Sequence, residues 1–231
     1  MNRETYQRDI FSEIEGDKFF ERNRKGLSEM SPATKRVIER IAQYVVSTKA
    51  TRVLEIGCAS GANLAALNSL RSIDGFGIEP SRDAVRAGTE SFPHFNLQVG
   101  TADRLPFDDG SMEVVWFAFC LYLVDRSLLH RVVAEADRVL KDGGIIVIHD
   151  FDPDVPCVRA YSHQPGVSSY KMNYSGLFLC DPAYSLVEKL SFTHESAEWS
   201  SDAQQRLAFW VCRKNVALGY RQDQSALAAG K

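Results

Sequence analysis

The sequence predicts an α/β protein built on a parallel sheet. Two observations predict it: from Arg52 onward short apolar runs alternate with helix-like segments, and the first run ends in a small-residue turn that opens a helix. Val53–Ile56, Gly75–Ile78, Phe95–Val99, Val114–Phe119 and Ile145–Ile148 are the runs, most of them nearly continuous in apolar residues, as strands buried on both faces are. Between them lie Asn63–Leu70, Ser81–Glu90 and Ser127–Leu140; in the last, Leu128, Leu129, Val132, Val133, Ala136, Val139 and Leu140 form a helical stripe. Such β-α alternation implies right-handed crossovers.

Residues 1–50 read as an amphipathic helical extension, broken at Glu15-Gly16-Asp17, with Ser31 capping a long helix whose first position is Pro32. After Asp150, residues 151–180 are rich in proline and aromatics and too long for an ordinary connection, which marks a functional insertion. Asp181-Pro182 then suits the start of a helix over Ala183–Leu190, and Phe192–Trp199 with Arg206–Arg213 a closing antiparallel hairpin. The domain proper is expected over 51–213, followed by a loose tail over 214–231.

A chain of 231 residues supports one sizeable core, and a net charge of -3 gives no basic footprint for nucleic acid. The most apolar run, Val114–Val124, is far short of the ~20 residues of a membrane-spanning helix, so a cytoplasmic protein with a small-molecule substrate is expected. Cys58, Cys120, Cys157, Cys180 and Cys212 are scattered, without a C-x-x-C pair, which argues for buried reduced thiols and against a disulfide frame or a zinc site.

The turn Gly57-Cys58-Ala59-Ser60-Gly61 lets the backbone approach a ligand, and the helix start behind it favours the ligand's polar end. Glu79, after the second run, is placed to accept hydrogen bonds from both hydroxyls of a ribose. These features alone also fit a degenerate dinucleotide fingerprint through Gly57, Ala59 and Ala62. Gly100-Thr101-Ala102-Asp103-Arg104-Leu105-Pro106-Phe107 and Arg138-Val139-Leu140-Lys141-Asp142-Gly143-Gly144 separate the two readings. With them the chain resembles the class I S-adenosylmethionine-dependent methyltransferases acting on small molecules, over about residues 52–150.

The resemblance implies a Rossmann-like, doubly wound sheet of seven strands with the last antiparallel, and S-adenosylmethionine as cofactor. It assigns Glu55, Gly57 and Gly61 to the amino-acid end of that molecule, Glu79 to its ribose, and Ala59 to the cofactor-binding turn. Pro80, Thr101, Ala102 and Asp103 fall to the adenine, and the backbone at Ala118 and Phe119 to the floor beneath the sulfonium. Ala59 departs from the usual middle glycine. A short likeness of Ile10–Asn23 to methyltransferases of bacterial surface-sugar pathways implies an amino-terminal lid, in which Arg22 reaches the cofactor carboxylate and Tyr6, Phe19 or Phe20 exclude water.

Methyl transfer needs a base only when the acceptor stays protonated. For a sugar or other hydroxyl acceptor the candidates are His149 after the fifth strand and His163 in the insertion, with Tyr122 at the position where relatives carry a histidine. Asp150 either binds substrate or caps the following segment. Two other readings stand beside methyl transfer to oxygen: an NAD-dependent dehydrogenase, and a donor-binding partner subunit without activity of its own.

Overall fold

The computed structural model describes residues 6–196 and 198–220. The chain opens with a helical extension: α1 (Gln7–Ile10), a π-helical turn (Phe11–Glu15), α2 (Gly16–Glu29) and α3 (Pro32–Thr48). The break expected at Glu15-Gly16-Asp17 does not occur: the π-turn passes directly into α2 with Gly16 in helical backbone. Ser31 caps α3 as expected, its hydroxyl accepting from the Thr34 amide at 3.1 Å.

The α/β units follow as β1 (Arg52–Ile56), α4 (Ala62–Leu70), β2 (Asp74–Glu79), α5 (Arg82–Ser91), β3 (Asn96–Val99), β4 (Met112–Ala118), α6 (Leu129–Val139) and β5 (Leu140–Phe151). Beyond them come β6 (Cys157–Ala160), β7 (Ser168–Lys171), α7 (Gly176–Leu179), β8 (Tyr184–Thr193), β9 (Arg206–Lys214) and α8 (Val216–Gly219). Seven strands form one sheet in the order β3-β2-β1-β4-β5-β9-β8, parallel from β3 to β5, with β9 antiparallel to both neighbours. The sheet is therefore the expected doubly wound one.

Its strands look continuous in sequence because alternate residues feed two cores. Val53, Val114, Trp116 and Val147 pack under Val37, Ile41 and Leu64 of the extension and α4. Leu54, Val115, Phe117 and Ile146 pack under Val132, Ala136 and Phe178 of α6 and α7.

Three expectations need correction. Ala183–Leu190 is no helix: Asp181 Oδ1 accepts the Ala183 amide at 2.8 Å in a turn, and the chain enters β8 at Tyr184, so the hairpin begins earlier than its apolar run. β8 is an edge strand that leaves Leu186 and Val187 exposed and bulges between Leu186 and Glu188, which erases its alternation. The start of the tail is ordered, with Val216 donating to Asp142 and Tyr220 to Asp181, while residues 221–231 lie outside the described residues. All five cysteines are free, but Cys180 is exposed and Cys120 and Cys157 half-buried. Among the described residues, no helix is long and apolar enough to cross a membrane.

Candidate active site

A cavity of about 310 Å³ runs along the carboxyl ends of the parallel strands, beneath the helical extension. Its first wall is the turn after β1. Gly57, Ala59 and Gly61 all take left-handed backbone, with φ of 78°, 46° and 75°. A Cβ at Gly57 would stand 2.8 Å from the Cys120 Cβ, so glycine is what lets the turn pass beside the end of β4. The strained Ala59 is held by its amide, which donates to Glu79 Oε2 at 3.0 Å.

Two acids stand at this turn. Glu79 also accepts the Ser81 amide on Oε1 at 3.0 Å, so each of its oxygens carries one backbone donor and retains a free acceptor site. Burial nevertheless pushes its pKa up to about 7. Glu55 is fully buried beneath the turn, where burial raises it to about 8 against the lowering effect of its hydrogen bond from Asn63 Nδ2 at 2.7 Å. Its second oxygen, Oε2, has no partner. Gly57, Ala59, Glu79 and Pro80 line the cavity, whereas Glu55 and Gly61 lie just behind its wall.

Thr101, Ala102 and Asp103, following β3, close the cavity at the far side of Glu79. Asp103 is buried, and one oxygen, Oδ2, receives Arg8 Nη1 at 2.9 Å from the extension. Arg8 was not anticipated from sequence. Neighbouring contacts latch the same helix down: the amides of Gln7 and Arg8 donate to Asp125 at 2.8 and 3.0 Å, and the Gln7 side chain bonds to Leu123 and to both backbone groups of Ser168. Asp17, on α2, accepts Ser81 Oγ at 2.6 Å and the Asp83 amide at 3.1 Å, tying the extension to the start of α5.

At the other end, β4 runs out at Ala118 and Phe119 takes φ of 56°, rare for a bulky residue, with its amide donating to the His149 carbonyl at 2.9 Å. The Phe119 ring is the hub of an aromatic cluster, 5.4 Å from His149, 4.9 Å from Phe151, 5.1 Å from Tyr122 and 5.3 Å from His194. Phe119, His149, His194 and Leu207 line the cavity; Tyr122 is buried behind them. Burial holds His149 down to about 3, with the nearby His194 adding to the effect, so its imidazole is neutral at physiological pH. Its Nε2 is buried without a partner. Asp150 faces inward to cap the chain, accepting the amides of Phe151 at 2.8 Å and Tyr122 at 3.3 Å.

Two predicted positions fall elsewhere. Arg22 pairs with the buried Glu15 and with the Tyr161 hydroxyl, outside the cavity wall. His163 is exposed and rests edge-on against Tyr161, 5.2 Å between ring centres. None of residues 151–180 lines the cavity; this insertion instead props the extension through Ser168. Its expected place as acceptor wall is taken by His194 and Leu207, around the β8–β9 hairpin.

Together the fold and the site define a Rossmann-like domain with a crevice beyond its strand ends. Residues 54–148 match the family described as "Methyltransferase domain". Among curated proteins, the chain is 29% identical over 129 residues to 27-O-demethylrifamycin SV methyltransferase of Amycolatopsis mediterranei, covering 53% of this chain and 46% of that protein. It is 31% identical over 127 residues to demethylmenaquinone methyltransferase of Staphylococcus aureus, covering 52% of each. The chain thus spans about half the length of these relatives.

Among solved structures, 1,6-didemethyltoxoflavin-N1-methyltransferase of Burkholderia thailandensis, with 1,6-didemethyltoxoflavin and S-adenosylhomocysteine bound, shares the fold at a TM-score of 0.67 and 11% identity, covering 93% of each chain. Over residues 54–148 the chain thus resembles methyltransferases, and the solved structures that share its fold include S-adenosylmethionine-dependent ones. These matches support the methyltransferase reading over the dehydrogenase one. The residues present fit the cofactor on the structure's own terms: Glu79 at the cavity wall keeps a free acceptor site on each oxygen, and the left-handed turn of Gly57 and Ala59 brings backbone to the same wall.

Proposed function

We propose that the chain transfers a methyl group from S-adenosylmethionine to a hydroxyl group of a small molecule. The observation that carries this reading is the continuity of one cavity from the glycine turn and Glu79, past Phe119, to His149. The names of the relatives, a demethylrifamycin and a demethylmenaquinone methyltransferase, favour a small-molecule acceptor.

When bound, S-adenosylmethionine would supply an activated methyl group for the acceptor oxygen, its sulfur keeping the carbon–sulfur electron pair and the hydroxyl proton passing to water. Glu79 would hold the ribose hydroxyls on its free acceptor sites. Asp103 Oδ1 would take the adenine amino group while Oδ2 stays on Arg8, and Pro80 would pack on the ring. The turn of Gly57 and Ala59 would hold the amino-acid end with Glu55 buried behind it, and Ala118 and Phe119 would form the floor. His149 orients the acceptor hydroxyl as a neutral imidazole; its depressed basicity makes it a weak proton acceptor, so alignment and exclusion of water do most of the work.

Calorimetry of the purified chain with S-adenosylmethionine, S-adenosylhomocysteine and NAD tests the reading. Micromolar binding of the first two and none of NAD is expected. Binding of NAD alone would end it.

A further inference from the structure

We infer that the methyl acceptor is an uncharged, flat ring system carrying the reactive hydroxyl, received between Phe119 and the start of α3, and not a sugar or a phosphorylated metabolite. This deepens the function proposed above and rests on it. The walls at that end of the cavity are Phe119 and Leu207 on the sheet side and Met30 and Ala33 on the α3 side, with His149 and His194 as the polar groups.

Charge at the cavity wall is spent elsewhere. Arg8 is paired with Asp103, Asp125 holds the amides of Gln7 and Arg8, and Glu79 holds those of Ala59 and Ser81. The cation near the aromatic cluster, Lys171, lies 3.6 Å over the Phe151 ring and does not line the cavity. The hydroxyls of Ser31 and Thr34 are joined at 3.1 Å within the cap of α3. An anionic acceptor would therefore enter without a counter-charge, and a hexose would bury several hydroxyls against two imidazoles, each unpaired hydroxyl weakening binding. A flat ring meets the opposite conditions, since aromatic faces and edges surround the space and Phe119 is held in strained backbone that fixes its ring there.

The weak basicity of His149 agrees with this class. A phenol, which ionises near 10 in tyrosine, gives up its proton far more readily than a sugar alcohol, and so needs less help from the imidazole.

The test uses the full chain saturated with S-adenosylhomocysteine and titrated with 1-naphthol, methyl α-D-glucopyranoside and glucose 1-phosphate. Naphthol should bind at least about 10-fold more tightly than either sugar. Met30→Gln should weaken naphthol about 5-fold and Met30→Leu should not, with S-adenosylhomocysteine held within about 2-fold in both, which separates lost contact from lost folding. Equal or tighter binding of a sugar, or silence from naphthol with S-adenosylhomocysteine bound, would overturn the inference. Failure of S-adenosylhomocysteine itself to bind would instead strike the proposed function, and this inference with it.

Discussion

At the donor end of the cavity the sheet-side walls come from one stretch of chain, Gly57 to Asp103, carried on three consecutive parallel strands. At the acceptor end they come from the tip of β4, the tip of β5, the β8–β9 hairpin and the start of α3, segments far apart in sequence. The donor end holds its acids with fixed partners, backbone amides on Glu79, Asn63 on Glu55 and Arg8 on Asp103; the acceptor end is apolar apart from two imidazoles and the mutually bonded hydroxyls of Ser31 and Thr34. A cofactor shared by a whole class can be met by a fixed set of polar groups on a rigid turn, whereas an acceptor peculiar to one protein is met by shape, assembled late from whatever the topology brings near. Four predictions bear on that contrast.

The largest effect is expected at the donor end. Glu79→Gln removes charged acceptors from two ribose hydroxyls, and at about 1.5–3 kcal/mol for each such bond donor affinity should fall about 100-fold or more, read by calorimetry at pH 8. An unchanged affinity would break the division of labour between the two ends.

His149→Ala should behave oppositely. Turnover should slow about 10- to 100-fold, at or below the usual range for an acid–base group, with S-adenosylhomocysteine affinity within about 2-fold. In the unaltered protein, kcat should show no histidine inflection between pH 6 and 7, because His149 already stays neutral down to about pH 3. Loss of donor binding in His149→Ala would move that residue to the other end of the account.

The third effect is in pH. Glu79 and Glu55 ionise only near 7 and 8 because burial disfavours their charge. Ionised Glu79 accepts the ribose hydrogens best, and ionised Glu55 favours the ammonium by its charge from behind the turn, so donor affinity should rise up to about 10-fold per pH unit for each acid that must lose a proton, between pH 6 and 8, with proton release on binding. The sign for the free protein is reversed. Both pKa values are raised above their unfolded values near 4.5, so the stability these acids contribute is complete below that pH and is lost as pH climbs through 7 and 8. A thermal melt series with and without S-adenosylhomocysteine should show the bound form gaining on the free form across this window.

The smallest effect is at the latch. Arg8→Gln loosens the extension from Asp103, but the Arg8 side chain is 31% exposed, so the pair is screened and donor affinity should drop only about 3-fold, less at high salt.

Much of this contrast was legible in the sequence. The strands β1, β2, β4 and β5 announce themselves because residues buried on both faces do not alternate, and the left-handed turn is marked by Gly57 and Gly61. β8 was hidden because its bulge breaks the period of two and its edge position exposes Leu186 and Val187. Arg8, His194 and Leu207 carry no local signal. Arg8 sits in an ordinary charged opening, and His194 and Leu207 reach the cavity only because β9 runs antiparallel beside β5, pairing Leu207 with Phe151. The insertion misled for the same reason: its aromatics suggested a pocket, while Tyr174 and Phe178 fill the core and Tyr170 stacks under Arg126.

The central claim is that one cavity holds the adenosyl group on Glu79 and Asp103 and delivers its sulfur to Phe119 and His149. A crystal structure with S-adenosylhomocysteine tests it most directly. The account predicts both ribose hydroxyls on Glu79, the adenine between Pro80 and Asp103 with Arg8 still on Oδ2, and the sulfur facing His149 over Phe119. Ribose hydroxyls bound away from Glu79, or a sulfur turned from His149, would contradict it.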